Sequence, residues 1–166
     1  MPKSGFTFRV TGFDKLRRGL KAAEKVFSPA EMRETFGDFA LILERSILRN
    51  FERERAPRHV APLRKAESRK GRRWHDLKPA TIKRRRGGGA GAKILQDTGT
   101  LMGSINSRAT SKYAVAGTNS IIGLYHQGGT KRGLPPRPFI GFNDKDADDM
   151  ISAVTIRLKK ALPGGS

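Results

Sequence analysis

The sequence predicts an α+β fold: a small, mostly antiparallel sheet packed by helices, with a long basic arm projecting from one domain spanning 1–166. Three observations carry this prediction. Apolar residues recur at helical spacing through 13–51 and again through 150–158. Short runs of strand-forming residues flank a turn at Thr110-Ser111-Lys112. Between Pro57 and Leu77 the apolar pattern dissolves into a dense basic run.

The elements follow in order. Phe6, Phe8 and Val10 alternate with Thr7 and Arg9, which predicts a short half-buried strand. Phe13, Leu16, Leu20, Ala23 and Phe27 predict a first helix. Ser28-Pro29-Ala30-Glu31 then predicts a sharp second start: Ser28 caps, Pro29 takes the first helical position and Glu31 closes a capping box. Met32, Phe36, Phe39, Leu43, Ile47 and Phe51 share one face of that helix, which runs to about Arg55 and leaves Arg45 and Arg49 on the open side. The basic arm covers about 53–73. A short helix is expected from Pro79 to Arg86, followed by a glycine-rich linker at 87–92. Thr98 is a plausible cap for a short helix bearing Leu101, Met102 and Ile105. Two strands follow at 105–109 and 113–117. After them comes a short helix with Ile121, Leu124 and Tyr125, then an extended stretch from Pro136 to Phe142 whose prolines forbid helix before them. The last helix opens on Asp144, Asp146, Asp148 and Asp149 and ends on Arg157, Lys159 and Lys160, an order that suits its macrodipole.

Composition limits the function. With 166 residues, 36% hydrophobic and 19 glycines besides, the chain can build an ordinary core. The net charge is +19, and residues 45–86 alone contribute +12. Such a field attracts polyanions and repels copies of itself unless something offsets it. The absence of cysteine excludes disulfides and thiolate metal sites. The N-terminus has no secretory pattern and no stretch approaches the roughly 20 apolar residues of a membrane span, so a soluble cytoplasmic protein is expected.

No catalytic, metal or cofactor site is expected. The three histidines, His59, His75 and His126, form no metal-ligand spacing. His126 could act as a general base, but no nucleophile–base pair is recognisable beside it, and a hydrogen-bonded structural histidine before a Gly-Gly turn is the better reading. The glycine run lacks the Gly-Lys-Ser/Thr ending of a phosphate loop. The basic residues Arg64, Lys65, Arg69, Lys70, Arg72, Arg73, Arg84, Arg85 and Arg86 suit contacts to DNA phosphates or to an acidic partner, without reading sequence. Trp74 is the only aromatic residue near them and is expected to anchor the arm where it rejoins the body. Pro136 and Pro138 are expected to hold the Arg137 guanidinium outward, where it would meet a carboxylate of a neighbouring subunit, with Asp144, Asp146, Asp148 and Asp149 as candidates.

Five blocks run in order through the second half: Trp74-His75-Asp76-Leu77 with Thr81, Leu95 to Leu101 with Ser104-Ile105, Gly117-Thr118-Asn119, Tyr125-His126-Gln127-Gly128-Gly129, and Pro135 to Gly141. Together, over about 74–142, they resemble the virion-morphogenesis, or tail-completion, family of tailed phages. The resemblance implies a structural virion protein of the head–tail junction rather than an enzyme. It would assemble in the host cytoplasm as a homo-oligomeric ring, a hexamer or dodecamer. Its neighbours would be neck or connector and tail tube proteins, with DNA in the channel and no membrane. Structural and interface roles would fall on Tyr125, His126, Gln127, Arg137 and Pro138. The arm has no clear counterpart in the compact related neck proteins. The competing reading is a sequence-independent nucleic-acid-binding protein that works through the arm; a small nuclease using His126 ranks last.

Overall fold

The computed structural model describes residues 14–60, 70–85 and 92–162. The strand expected at 6–10, the basic residues Arg64, Lys65, Arg69 and Arg86, and residues 87–91 of the glycine-rich linker lie outside the described residues.

Helix α1 (Asp14–Val26) and the long α2 (Pro29–Glu52) form as expected. The start of α2 is fixed locally: the Ser28 hydroxyl accepts from the Glu31 N–H at 3.3 Å, and the Glu31 carboxylate accepts from the Ser28 N–H at 2.7 Å. The helix stops at Glu52, short of the expected Arg55, because Glu54 takes φ 50°, in the left-handed region. Tertiary contacts hold that turn, since the Glu54 carbonyl accepts from the Trp74 N–H at 2.8 Å.

Two apolar clusters lie along α2. Toward its N-terminus, Met32 and Phe39 pack with Ala23 and Phe27 and with Met150 and Val154 of the last helix. Toward its C-terminus, Ile47 and Phe51 pack with Trp74, Ile94, Leu101, Phe139 and Ile140. Trp74 is therefore the anchor the sequence suggested, 2% exposed and edge-on to Phe51.

Behind Trp74 the described parts of the expected arm, 53–60 and 70–73, are tied to the body. Ala56 N–H donates to Arg72 O at 2.8 Å and Gly71 N–H to Pro57 O at 3.0 Å, so the outgoing and returning chains run side by side. Strand β1 (His59–Val60) pairs antiparallel with β4 (Gly141–Phe142). A Cβ at Gly141 would sit 2.2 Å from the His59 carbonyl oxygen, so only glycine permits that approach. The other pair, β2 (Asn106–Ala109) and β3 (Ala114–Gly117), forms the hairpin expected around 110–112 and packs on α2. The sheet is thus two separate two-stranded antiparallel pairs among the described residues.

Short helices α3 (Pro79–Arg84), α4 (Thr100–Gly103) and α5 (Ile121–Gly128) link these pieces. The cap position of α4 is Gly99 rather than Thr98, whose hydroxyl bonds the Thr100 hydroxyl at 2.8 Å and accepts from the Thr100 N–H at 3.4 Å. Helix α6 (Asp144–Ala161) begins with a second capping box, in which Asn143 pairs with Asp146.

Two sequence expectations fail here. Asp146 is not a surface acid available to a neighbour: it is fully buried, and its carboxylate accepts from the Ser46 hydroxyl, the Asn143 N–H and the Arg49 guanidinium. Arg49 is accordingly not an open-face position, because its charge answers the buried carboxylate. Asp144 is also engaged within the chain, by Arg58 and His59, and Asp149 by Lys145. Hydrogen bonds from His59 and then Arg58 hold the Asp144 carboxyl below the usual carboxylate range.

Candidate interface site

Helix α5 is the hub of the site. It enters the core through Gly123, where a Cβ would lie 2.7 Å from the Thr118 methyl and 3.2 Å from the Phe139 ring. That absence of side chain lets the helix sit directly on the Pro-Arg-Pro-Phe segment. Its C-terminal end then grips the segment. The Arg137 N–H donates to the His126 carbonyl at 2.7 Å. The Gln127 side-chain oxygen accepts from both the Phe139 and Ile140 N–H, and its amide donates to the Ile140 carbonyl at 3.0 Å. Asn50 donates to the Phe139 carbonyl at 3.0 Å and the Trp74 indole to the Pro138 carbonyl at 2.9 Å. An irregular strand buried in a core leaves polar backbone groups that need partners, and these three side chains supply them.

The structure corrects the expected attitude of Arg137. Its guanidinium turns inward, 6% exposed, and donates to the carbonyls of His75 at 2.9 Å and Asp76 at 3.0 Å. Prolines did fix the backbone, but the free carbonyls of the Trp74-His75-Asp76 stretch attract the side chain back across the segment. Pro138 and Gln127 are likewise enclosed, so what the structure gives them is an internal role. Tyr125 is 48% exposed, and His126 is partly buried between these groups.

Beside the grip lies an open groove of about 670 Å³. Its walls come from Asp76-Leu77 and Thr81, from Leu95 and 97–101, from Ile122 and His126, and from Thr130 and 132–135 with Arg137. Four of the five ordered sequence blocks therefore converge on one surface feature. The fifth supplies Thr118, which packs under α5. The groove carries Lys78, Arg85, Arg132 and Arg137 against Asp76 and Asp97. Burial first, and then the Arg85 charge, lowers the Arg137 pKa below the ordinary arginine value, with Asp76 opposing. Burial, then Arg137 and Arg85, pushes His126 down to about 4, so its ring is neutral at physiological pH. Its Nδ1 is buried without a hydrogen-bond partner among the described residues.

Around the groove the outer face of α5 is apolar. Ile121, Ile122, Leu124 and Tyr125 are 41–58% exposed, and the helix carries no Asp, Glu, Lys or Arg in a chain of net charge +19. The sequence pattern sets Ile121, Leu124 and Tyr125 on a short helix without marking the face as open. The available signal was the run itself: only Gly123 and Gln127 of the helix are buried, because the core admits only its glycine edge. Of the predicted basic contacts, Lys70, Arg72, Arg73 and Arg84 are exposed, and Arg85 lies in the groove wall. Among the described residues no group of His, Cys, Asp and Glu could hold a metal, and no helix is long and apolar enough to cross a membrane.

Comparison with known families decides what kind of protein this is: the model of the phage virion morphogenesis family matches residues 12–159. The chain belongs to the phage virion morphogenesis family. The match extends beyond the 74–142 stretch that carries the sequence blocks and takes in α1, α2 and nearly all of α6. No curated protein and no solved structure gives a significant match. A morphogenesis protein of a phage virion works alongside other virion proteins, which is the context in which the groove and the bare face of α5 are to be read.

Proposed function

We propose that this virion morphogenesis protein is a structural, non-enzymatic piece of the head–tail junction, a ring of identical copies that completes the tail and joins it to the head around the DNA path. The observation that carries the reading is the uncharged, exposed α5 on a strongly basic chain. Copies bearing +19 repel one another, so self-association needs a surface where charge is absent and apolar area is available. Helix α5 supplies such a surface next to a groove on the same side of the chain. Two unlike features side by side suit a head-to-tail contact, the kind that closes into a ring when its rotation repeats. The exposed basic residues Lys70, Arg72 and Arg73 would then face DNA in the channel or acidic surfaces of neck, connector or tail tube proteins.

Native mass spectrometry at micromolar concentration, with electron micrographs of particles made without the protein, tests the proposal. A mass that is a multiple of 18.3 kDa, together with filled heads and separate tails, is expected. A chain that stays at 18.3 kDa alone and in particles, with joined particles formed in its absence, overturns it.

A further inference from the structure

The groove contains a charge arrangement that the described residues leave unbalanced. Arg137 is nearly buried, Arg85 lines the same groove, and neither guanidinium has an ion-pair partner among the described residues. Arg137 spends its Nε and one Nη2 donor on carbonyls, and one Arg85 nitrogen donates to the Lys93 carbonyl. Asp76 offsets part of this charge only. A guanidinium has five donors, so each retains donors that these carbonyls do not use, and both residues line the groove. Two cations placed together in a partly desolvated recess are unfavourable on their own and become favourable when an anion joins them.

The lining says which anion. Leu95, Leu101, Ile122 and Leu134 form much of the surface beside the arginines. A DNA phosphate would leave those side chains facing a hydrophilic backbone, whereas a peptide can set an aliphatic side chain on them and a carboxylate on the guanidiniums. We infer that the groove is a docking site for an extended acidic segment of a partner protein, one that places a carboxylate on Arg85 and Arg137 and a neighbouring aliphatic side chain against Leu101 and Ile122. Charge complementarity supports that occupant, and the inference stands on the groove alone, whether or not the protein forms a ring.

Fluorescence anisotropy at physiological salt tests it with three labelled probes: a short peptide of alternating Leu and Glu, its Ser–Glu counterpart, and a short DNA duplex. The variants are Arg85→Glu with Arg132→Glu, Ile122→Asp, and, as a charge-matched control outside the groove, Lys70→Glu with Arg72→Glu. Both groove variants should weaken the Leu–Glu peptide by at least about tenfold, a loss of one decade in affinity, and the control by no more than about twofold. The Ser–Glu peptide should bind the unaltered protein at least about tenfold more weakly than Leu–Glu. Equal losses in groove and control variants, or equal binding of the two peptides, would show that net charge alone is at work and overturn the inference. Loss of duplex binding in the groove variants with the peptide unaffected would also overturn it, and would make nucleic acid the occupant. Should the double groove variant fail to fold by circular dichroism, Ile122→Asp decides, since Ile122 is 52% exposed and its replacement leaves the basic residues in place.

Discussion

The two halves of α2 look out on neighbours of different kinds. Its N-terminal half meets α1 and α6, regular helices whose backbone groups are already paired, so apolar side chains fill the contact and its polar groups, Arg157 with Glu34 and Asp38, pair side chain to side chain. Its C-terminal half meets irregular chain: the 74–77 stretch, the turn at 94–95 and the Pro-Arg-Pro-Phe segment. There the same kind of apolar packing is threaded with side-chain to backbone bonds from Asn50, Trp74, Gln96, Gln127 and Arg137. The lesson is that a core built from irregular chain must carry its own polar partners. All of those partners except Asn50, which stands on α2, belong to the sequence blocks.

The largest test of that contrast is Gln127→Met, which keeps the volume and removes every bond. Two N–H groups and one carbonyl, at Phe139 and Ile140, would lose their partner in a fully buried site. At about 1–3 kcal/mol for each stranded group, a loss of roughly 3–9 kcal/mol is expected, a large share of a domain's ~5–15 kcal/mol. Urea unfolding measures it. The matched change in the other half, Thr35→Val, removes only a local bond to the Glu31 carbonyl and should cost under about 1 kcal/mol. Equal losses would erase the distinction between the two halves.

Asp146, in the first turn of α6, brings a buried polar group from a regular helix against the C-terminal half of α2, at Ser46 and Arg49, and it sharpens the comparison. Asp146→Asn should cost about 2–4 kcal/mol, less than a wholly buried pair because the Arg49 side chain is 32% exposed and water can answer its charge. Arg49→Gln should cost about 1–2 kcal/mol, while Arg45→Gln, at an exposed position, stays within about 0.5 kcal/mol. Thermal melts of the three variants give the order, and an Arg49→Gln as harmless as Arg45→Gln would mean that Ser46 and the Asn143 N–H hold the carboxylate without it.

Acid should affect the groove half first. His126 has a folded-state pKa of about 4, below its usual 6.5, so between those values the unfolded chain binds more protons and stability falls as pH falls. The contribution is fully present above about pH 6.5 and is lost on the way down to about pH 4. Discounted for the part of the ring that remains in contact with solvent, the effect is on the order of 1–2 kcal/mol. Unfolding followed from pH 7 to pH 4 should show this slope, and His126→Gln should flatten it while leaving the carboxylate-linked loss below.

The same contrast explains what the sequence made legible. Capped helices were readable because Ser28-Pro29-Ala30-Glu31 and the apolar spacing act within a few residues of themselves. The hairpin at 106–117 was readable for the same reason. Arg137 was readable as fixed by its prolines but not in direction, since the carbonyls it turns to belong to residues about sixty positions earlier in the chain. Asp146 looked like one of four surface acids in a helix start, and only the approach of Ser46 and Arg49 from α2, about a hundred positions away, buries it. The groove was visible as ordered motifs but not as a groove, because its walls come from four separate stretches of chain.

The smallest expected effect on folding belongs to the outer face of α5, and that smallness is the point of the test. Ile121→Gln with Leu124→Gln touches side chains that are 58% and 41% exposed, so unfolding stability should move by no more than about 0.5 kcal/mol. If the face is a contact between copies, the same double variant should lose its oligomer by native mass spectrometry and fail to complement particles lacking the protein. Exposed apolar residues also occur elsewhere: Leu41 on α2 and Ile156 on α6 are 50% and 56% exposed. They stand on helices rich in charge, where a lone apolar side chain is ordinary and needs no partner. Leu41→Gln with Ile156→Gln should therefore change neither stability nor assembly. An oligomer that survives the α5 variant and disappears with the Leu41 and Ile156 variant would move the contact to the helical half of the molecule. Loss of assembly confined to α5 would place fold and assembly in separate parts of one short helix, its glycine edge set into the core and its aliphatic face turned toward the next copy.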